Sequence, residues 1–391
     1  MARRRRRKGS VHRRANGEGT IYPRKDGRWE AAYFSPDGER RRLLRKTQAE
    51  ARHALTAAVK MRDEGQATPT GHGTVADLLQ AWLPSMRPRI RYSTWRRYGQ
   101  LIDRHIAPAL GRISLARLSP LDVQRMVNRV LEVGLSPTTA HHAHAVLRRA
   151  LRDAVAAELL SRNVAALVKP PPMAFHEMQT LDPDQARAFL SAAIGDRWEA
   201  LWLLAVTSGM RQGELLGLRW SDVDLEQGIL HVTGNLSRGS NGLEVTRPKT
   251  HRSRRPIRLS QLATDALRRH KATQAAERPQ AGAAWEDHQL VFCRPTGRPL
   301  TAAWLVRGRF QPLLKRAGLP LIRFHDLRHT AATLWFRSGV NPKVVQETLG
   351  HSRVAITLDT YSHMIPDLQV ETARVMDLLF GAAPTTAPNM R

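Results

Sequence analysis

The chain has 391 residues, 42% of them hydrophobic, a length that suits two or three domains and an apolar share that suits real cores. Lys and Arg number 62 against 34 Asp and Glu, a formal net charge of +28, so the expected partner is a polyanion, nucleic acid or an acidic membrane face. The longest clean apolar run, Ala200–Val206, is far short of the roughly 18 residues of a membrane span; the basic start MARRRRRKGS leads into no secretory signal; and a lone cysteine, Cys293, excludes an internal disulfide or a multi-cysteine zinc site.

An intracellular protein that works on nucleic acid is the expectation. Residues 1–65 hold 19 Lys and Arg against 8 Asp and Glu. Within them, Arg3–Lys8 reads as a disordered phosphate-binding arm, with a localisation signal as the alternative. Three strand-like pieces follow, GTIY, RWEAAYF and RRRLL, separated by the turn signals PRKDG and SPDG. Thr47 then starts a helix, and Glu50 three residues on fits a capping box. The pattern predicts a basic three-stranded sheet plus one helix, with Arg28, Trp29, Arg40, Arg41 and Arg42 on the sheet face.

Residues 73–168 read as helices over 75–86, 93–106, 120–133 and 137–158. Ser93 and Ser119 suit N-caps, and Pro120 suits a first helical position. The stretch RPRIRYSTWRRYGQ mixes five arginines, Arg91, Arg96 and Arg97 among them, with Tyr92, Trp95 and Tyr98. Arginine without matching acids points to a DNA-contacting surface; a solvated helix face with one aromatic packed inward is the alternative.

The run VKPPPMAFHEMQT cannot be helix interior and reads as a stiff linker. A third zone, 177–380, opens with LDPDQ, where Asp182 caps, Pro183 leads and Gln185 completes the box. Helices, a hairpin over 229–259 and more helices follow, and 381–391 reads as a disordered tail. The fold class is therefore multidomain and mainly α with small β elements: an N-terminal sheet plus helix, a helical domain, and a mixed α+β domain.

Four motifs in the third zone carry chemistry. TSGMRQGELLGLRW sets Arg211 just past Gly209, where one helix stops and another starts, with Glu214 within reach on the next turn; alone this is a helix-start ion pair. RFHDLRHT spaces His325, Arg328 and His329 at i, i+3 and i+4, with Leu327, Ala331, Leu334 and Trp335 as the apolar stripe and both histidines on the far side from it. A zinc protease would need Glu directly after the first histidine, and Asp326 stands there with no third ligand apparent. VNPKVVQETLGHS is a compact helix that Asn341 caps, Pro342 starts and Gly350 ends, with His351 just beyond. LDTYSH holds Tyr361, the one tyrosine of this zone, ten residues after His351. Guanidinium groups grip phosphate oxygens in pairs, and a phenol can attack phosphorus when a base helps and positive charge surrounds the oxyanion.

Arg, then a hairpin lysine, then His-x-x-Arg, then Gly-His, then Tyr: this order resembles the tyrosine recombinase, or phage integrase, family across nearly the whole chain, most strongly over residues 177–365. The resemblance implies that Arg211, Lys249, His325, Arg328, His351 and Tyr361 are catalytic and that Glu214 supports Arg211. It leaves packing or hydrogen bonding to His329 and His363. Lys249 lies in RPKTHRSRRPIRL beside Arg247, Arg252, Arg254 and Arg255, so a phosphate contact is its alternative role. The resemblance further implies a helical core-binding domain of SAM-like type over 73–168, for which PALGRISLARLSPLDVQ is characteristic, and an arm-binding domain over 1–65. Expected activity is site-specific integration, and excision, of a phage or other mobile element through a 3′-phosphotyrosine, with neither metal nor other cofactor. Double-stranded DNA with core and arm-type sites, a homotetramer on that DNA, an excision factor or host DNA-bending protein as accessory partner, and a bacterial cytoplasmic, nucleoid-associated location complete the expectation. A type IB topoisomerase and a non-catalytic DNA-binding protein are the competing classes. The first needs no arm domain, and the second leaves the filled catalytic positions unexplained.

Overall fold

The structure, a computed structural model, describes residues 18–34, 39–63, 73–173, 178–246, 254–361, 373 and 376–380. Of the sequence-based expectations, the Arg3–Lys8 arm, Lys249, Arg247, Arg252, His363 and the 381–391 tail lie outside the described residues. The chain divides into two compact units, Met1–Phe175 and His176–Arg391.

The first unit begins with β1 (Thr20–Pro23), β2 (Trp29–Phe34) and β3 (Arg40–Arg45), an antiparallel sheet of order β1-β2-β3. Helix α1 (Gln48–Asp63) follows; Thr47 accepts from the Glu50 N–H, and the Glu50 carboxylate accepts from the Lys46 N–H. Ala31, Tyr33, Ala51, Leu55 and Ala58 form the core between sheet and helix, with Trp29 and Leu43 packed against it. Strand period two then sorts the arginines. Arg41 pairs with Tyr33 on the helix side, whereas Arg40 pairs with Phe34 and Arg42 with Ala32 on the other. The predicted single basic face is corrected accordingly: Arg40 and Arg42 share the open face, Arg41 shares the face of Trp29, and Arg28 sits at the β1–β2 turn, bound to Asp26 at 2.7 Å.

The helical part holds α2 (Val75–Ser85), α3 (Tyr92–Leu101), α4 (Ala107–Leu110), α5 (Pro120–Glu132) and α6 (Pro137–Ala156) around a core that includes Leu79, Met86, Ile106, Met126, Leu147 and Leu151. Residues Ile102–Ile106 form a π-helical turn that joins α3 to α4. Ser119 caps α5 and Pro120 leads it, as expected, and Asp122 completes a full box; Ser93 is no cap, because α3 starts at Tyr92, and Arg91 occupies the cap position with no side-chain hydrogen bond to the helix end. The aromatics of this stretch pack. Tyr98 stacks on Trp82 at 5.9 Å, Tyr92 stacks on Trp95 at 5.8 Å, and the Trp95 indole donates to Leu83 O at 2.9 Å. Arg96 and Arg97 stay exposed and Arg91 is half-buried.

The second unit is built on α8 (Glu199–Thr207), which follows α7 (Pro183–Ser191). The run Ala200–Val206, apolar all round, is buried on every side as such a helix must be. After α9 (Gln212–Leu216) come β4 (Val223–Asp224), β5 (Ile229–Val232), β6 (Asn235–Gly239), β7 (Gly242–Thr246) and β8 (Arg255–Arg258). Strands order as β4-β5-β8, with β6–β7 a separate hairpin inside the predicted 229–259 excursion. Helices α10 (Gln261–Ala281), α11 (Ala302–Leu305), α12 (Gln311–Arg316), α13 (Asp326–Arg337), α14 (Pro342–Leu349) and α15 (Val354–Tyr361) complete the unit. The last three hold Arg328, His329 and Tyr361, with His325 and His351 at their ends. Among the described residues no helix is long and apolar enough to cross a membrane.

Candidate active site

Local chemistry places each side chain. Helix α8 ends at Thr207, and Gly209 turns the chain with φ +60, a left-handed conformation that suits glycine. A Cβ there would lie 2.7 Å from Leu349 and 3.1 Å from Trp335, so α14 and α13 approach the turn directly. Arg211 follows as the cap residue of α9, its N–H donating to Glu214 Oε2 at 3.0 Å and its Nη1 to Oε1 at 2.8 Å. Glu214 is 4% exposed, and its carboxyl is held below the usual range by the Arg255 and Arg211 guanidiniums, which outweigh the cost of burial.

Helix α13 supplies Arg328, which is 3% exposed. Its Nη1 donates to Gly209 O and its Nη2 to Leu349 O, each at 2.7 Å, so one side chain clamps the α8–α9 turn to the end of α14. Burial and the nearby Arg211 and Arg255 lower its pKa to about 9, which leaves it charged at neutral pH. Asn341 caps α14 through the Lys343 N–H, and Gly350 ends it at φ +69. Arg211 Nη2 reaches Gly350 O at 3.5 Å, directly before His351. His351 Nδ1 lies 2.8 Å from Thr357 Oγ1 on α15.

His325 precedes α13 at its cap position and is exposed, its ring 5.0 Å from that of His329. His329, to which the resemblance leaves packing or hydrogen bonding, is half-buried, and its Nδ1 is 2.5 Å from the Tyr361 hydroxyl. Tyr361 is fully buried among Ala332, Phe336, Val345 and Leu349. Burial raises its pKa to about 12. Arg211, Glu214, Arg328 and His351 thus converge through the carbonyls of residues 209, 349 and 350, and Tyr361 joins them through His329 and α14. Among the described residues no three His, Cys, Asp or Glu groups form a metal-holding cluster.

Sequence reasoning missed Arg255 and the His329–Tyr361 contact. Arg255 is 7% exposed and donates from Nη2 to Glu214 Oε2 at 3.0 Å, so it faces inward. Its signal was strand parity: Arg255 and Ile257 alternate with the exposed Pro256 and Arg258.

The sequence matches the profile of the phage integrase family over residues 179–366, and that of the family's N-terminal SAM-like domain over 74–131. It is 32% identical to an integrase of Streptomyces ambofaciens, with 95% of this chain and 99% of that one covered. The chain belongs to the phage integrase family. It is a tyrosine recombinase, an enzyme of site-specific DNA recombination. An integrase of Saccharopolyspora erythraea is 27% identical over 94% of this chain and 98% of the other. Among solved structures, the Tn1549 transposon integrase in complex with circular intermediate DNA matches with TM-score 0.64 at 25% identity, covering 77% of this recombinase and 99% of that chain. A lambda integrase tetramer bound to a Holliday junction shares the fold, with TM-score 0.54 at 20% identity over 91% of this chain and 97% of the other.

The site's histidines are expected to make its unit sensitive to acid. His329 and His351 each have their pKa lowered to about 4, by burial first and then by neighbouring positive groups. An unfolded histidine titrates near 6.5. The unfolded chain therefore binds more protons between pH 6.5 and 4, so their contribution is complete above 6.5 and falls away as pH drops towards 4. Because both rings are partly exposed, the loss expected for the pair at pH 5 is about 1–2 kcal/mol. His329→Asn and His351→Asn should each show a smaller fall in Tm between pH 7 and 5 than the wild type does; an identical fall would reject these histidines as the source.

Proposed function

We propose that this recombinase integrates, and excises, a phage or other mobile element, and that Tyr361 is its nucleophile. Tyr361 Oη attacks the scissile phosphate, forming a 3′-phosphotyrosine and releasing a 5′-hydroxyl; the partner strand's 5′-hydroxyl reverses the step. Arg211 and Arg328 hold the non-bridging oxygens and stabilise the charge of the transition state. His325 and His351 hydrogen-bond the phosphate and move protons, and Lys249 protonates the leaving 5′ oxygen. The phosphotyrosine conserves the bond energy, so the reaction needs neither ATP nor a metal ion. Exchange between two duplexes requires four active sites, hence a homotetramer on DNA. The convergence of Arg211, Arg328 and His351 on the turns at residues 209 and 350, with Tyr361 on the adjacent helix, supports this reading. Because the Tyr361 ring and hydroxyl are buried, α15 must shift before attack.

The test is a nicked core-site substrate that loses its 5′ product by diffusion. A covalent adduct should accumulate in excess chelator, and peptide mapping should place it on Tyr361. An adduct on another residue, or activity abolished by chelation and restored by magnesium or zinc, would reject the mechanism.

We further assign residues 73–168 to core-site binding, with Arg91, Arg96 and Arg97 among the DNA contacts, and residues 1–65 to arm-type sites, with Arg28, Arg40, Arg41 and Arg42. The exposed Arg40 and Arg42 favour that use of the open sheet face; Arg41, on the helix side, is the weakest of the set. Deleting residues 1–65 should abolish arm-site binding while a core-site suicide substrate is still cleaved. The salt slope of DNA binding should flatten by about 0.9 for each phosphate that the shortened chain no longer neutralises. An unchanged slope with unchanged integration would remove the front zone from the DNA interface.

A further inference from the structure

We infer that Arg255 is a positioning residue of the recombination centre: it holds the carboxylate that orients Arg211 and ties β8 to the turn carrying His351. The inference rests on the catalytic reading of Arg211, Glu214 and His351 given above.

Arg255 opens β8, the strand that returns from the segment containing Lys249. Its register partner is Val232, and Ile257 pairs with Leu230, so parity turns it towards the core while Arg254 and Arg258 stay exposed. A guanidinium buried this deeply is tolerated only with several polar partners. Arg255 has them. Its Nη2 and Nη1 donate to Glu214 Oε2 and Oε1 at 3.0 and 3.4 Å, and its Nε donates to Thr348 O in the last turn of α14. The same two carboxylate oxygens accept from the Arg211 N–H and Nη1. Glu214 is therefore one anion shared by two guanidiniums, one facing the substrate side and one turned inward.

The approach at Gly350 closes the arrangement. A Cβ at that position would meet Arg255 Nη1 at 3.1 Å and Cδ at 3.2 Å, so the arginine occupies the space a side chain would take. Gly350 also has φ +69, and its carbonyl faces Arg211 Nη2. Arg255 thus binds α9, the end of α14 and the strand that follows Lys249 in the chain into one rigid corner.

Removing it should leave Glu214 with Arg211 as its remaining guanidinium partner, drawing Arg211 towards the carboxylate, and should free the turn before His351. Displacement of about 1 Å in a catalytic group costs on the order of 10²-fold in rate. With the nicked core-site substrate at saturating DNA, Arg255→Ala is expected to cleave about 10²-fold more slowly, with DNA affinity within threefold of wild type. Arg255→Lys keeps the charge but cannot reach Glu214 and Thr348 O together, so it should recover about tenfold of that loss. Because Arg255 acts through Glu214, combining Arg255→Ala with Glu214→Gln should be within threefold of the slower single variant.

Losses that multiply in the double variant would overturn the inference, as would a wild-type cleavage rate in Arg255→Ala. A defect confined to affinity would make Arg255 a DNA contact and equally overturn it. If Arg255→Ala shows no cooperative melt, Arg255→Lys decides: a wild-type rate rejects the role, and a slowed rate at unchanged affinity upholds it. Wild-type protein in the same assay separates the two levels. Failure to form a Tyr361 adduct sinks the catalytic reading, whereas a Tyr361 adduct formed equally fast by the Arg255 variants sinks this inference alone.

Discussion

Tyr361→Phe is expected to abolish covalent protein–DNA adducts while the protein folds and binds DNA. The substitution removes one oxygen. The ring keeps its place against Phe336, 5.7 Å away, and among Val345 and Leu349. The hydrogen bond to His329 disappears, which costs on the order of 1 kcal/mol in stability. The measurements are a thermal melt, a binding titration and a denaturing gel on a nicked site. A melt within a few degrees of wild type, affinity within threefold and no adduct is the expected set. An adduct that persists would transfer the nucleophile to another residue, and none of the other four tyrosines lies in the second unit.

The second large effect concerns Lys249. A 5′ oxygen is a poor leaving group unless it is protonated as its bond to phosphorus breaks, and losing a general acid costs about 10²-fold or more. Sulfur leaves as an anion without help. Lys249→Ala should therefore cleave ordinary DNA at least about 10²-fold more slowly and approach the wild-type rate on a substrate with sulfur at the bridging 5′ position. Arg211→Ala should stay defective on both, because holding non-bridging oxygens matters whichever atom leaves. A Lys249→Ala variant that sulfur fails to rescue would make the lysine a binding or positioning group and direct the search for the acid to His325.

Much of the fold was legible because its signals are local. Asp182 with Gln185, Ser119 with Pro120, and Asn341, Pro342 and Gly350 each act within a few residues of their helix end, and all three helices begin where those residues place them. Family membership was legible for a related reason: the order and spacing of Arg211, the hairpin lysine, His325, Arg328, His351 and Tyr361 is a property of the string itself. Ser93 failed as a cap because α3 begins one residue earlier, at Tyr92, which leaves Ser93 inside the first turn.

By itself, then, the sequence determined the strongly basic character of the chain, the class of secondary structure in each stretch, the helix ends that carry their own caps, and the set of residues from which a phosphoryl-transfer site could be drawn. The tertiary structure alone decided which of those residues face one another. Arg255 meets Glu214 across 41 positions and Thr348 across 93, His329 meets Tyr361 across 32, and Arg328 meets Gly209 across 119. Whether an arginine ends in solvent on an open strand face or buried behind the Glu214 carboxylate depends on what packs over it. That is a property of distant segments brought together by the burial of α8, α13 and α14, and no pattern within a few residues of Arg255 or Tyr361 encodes it.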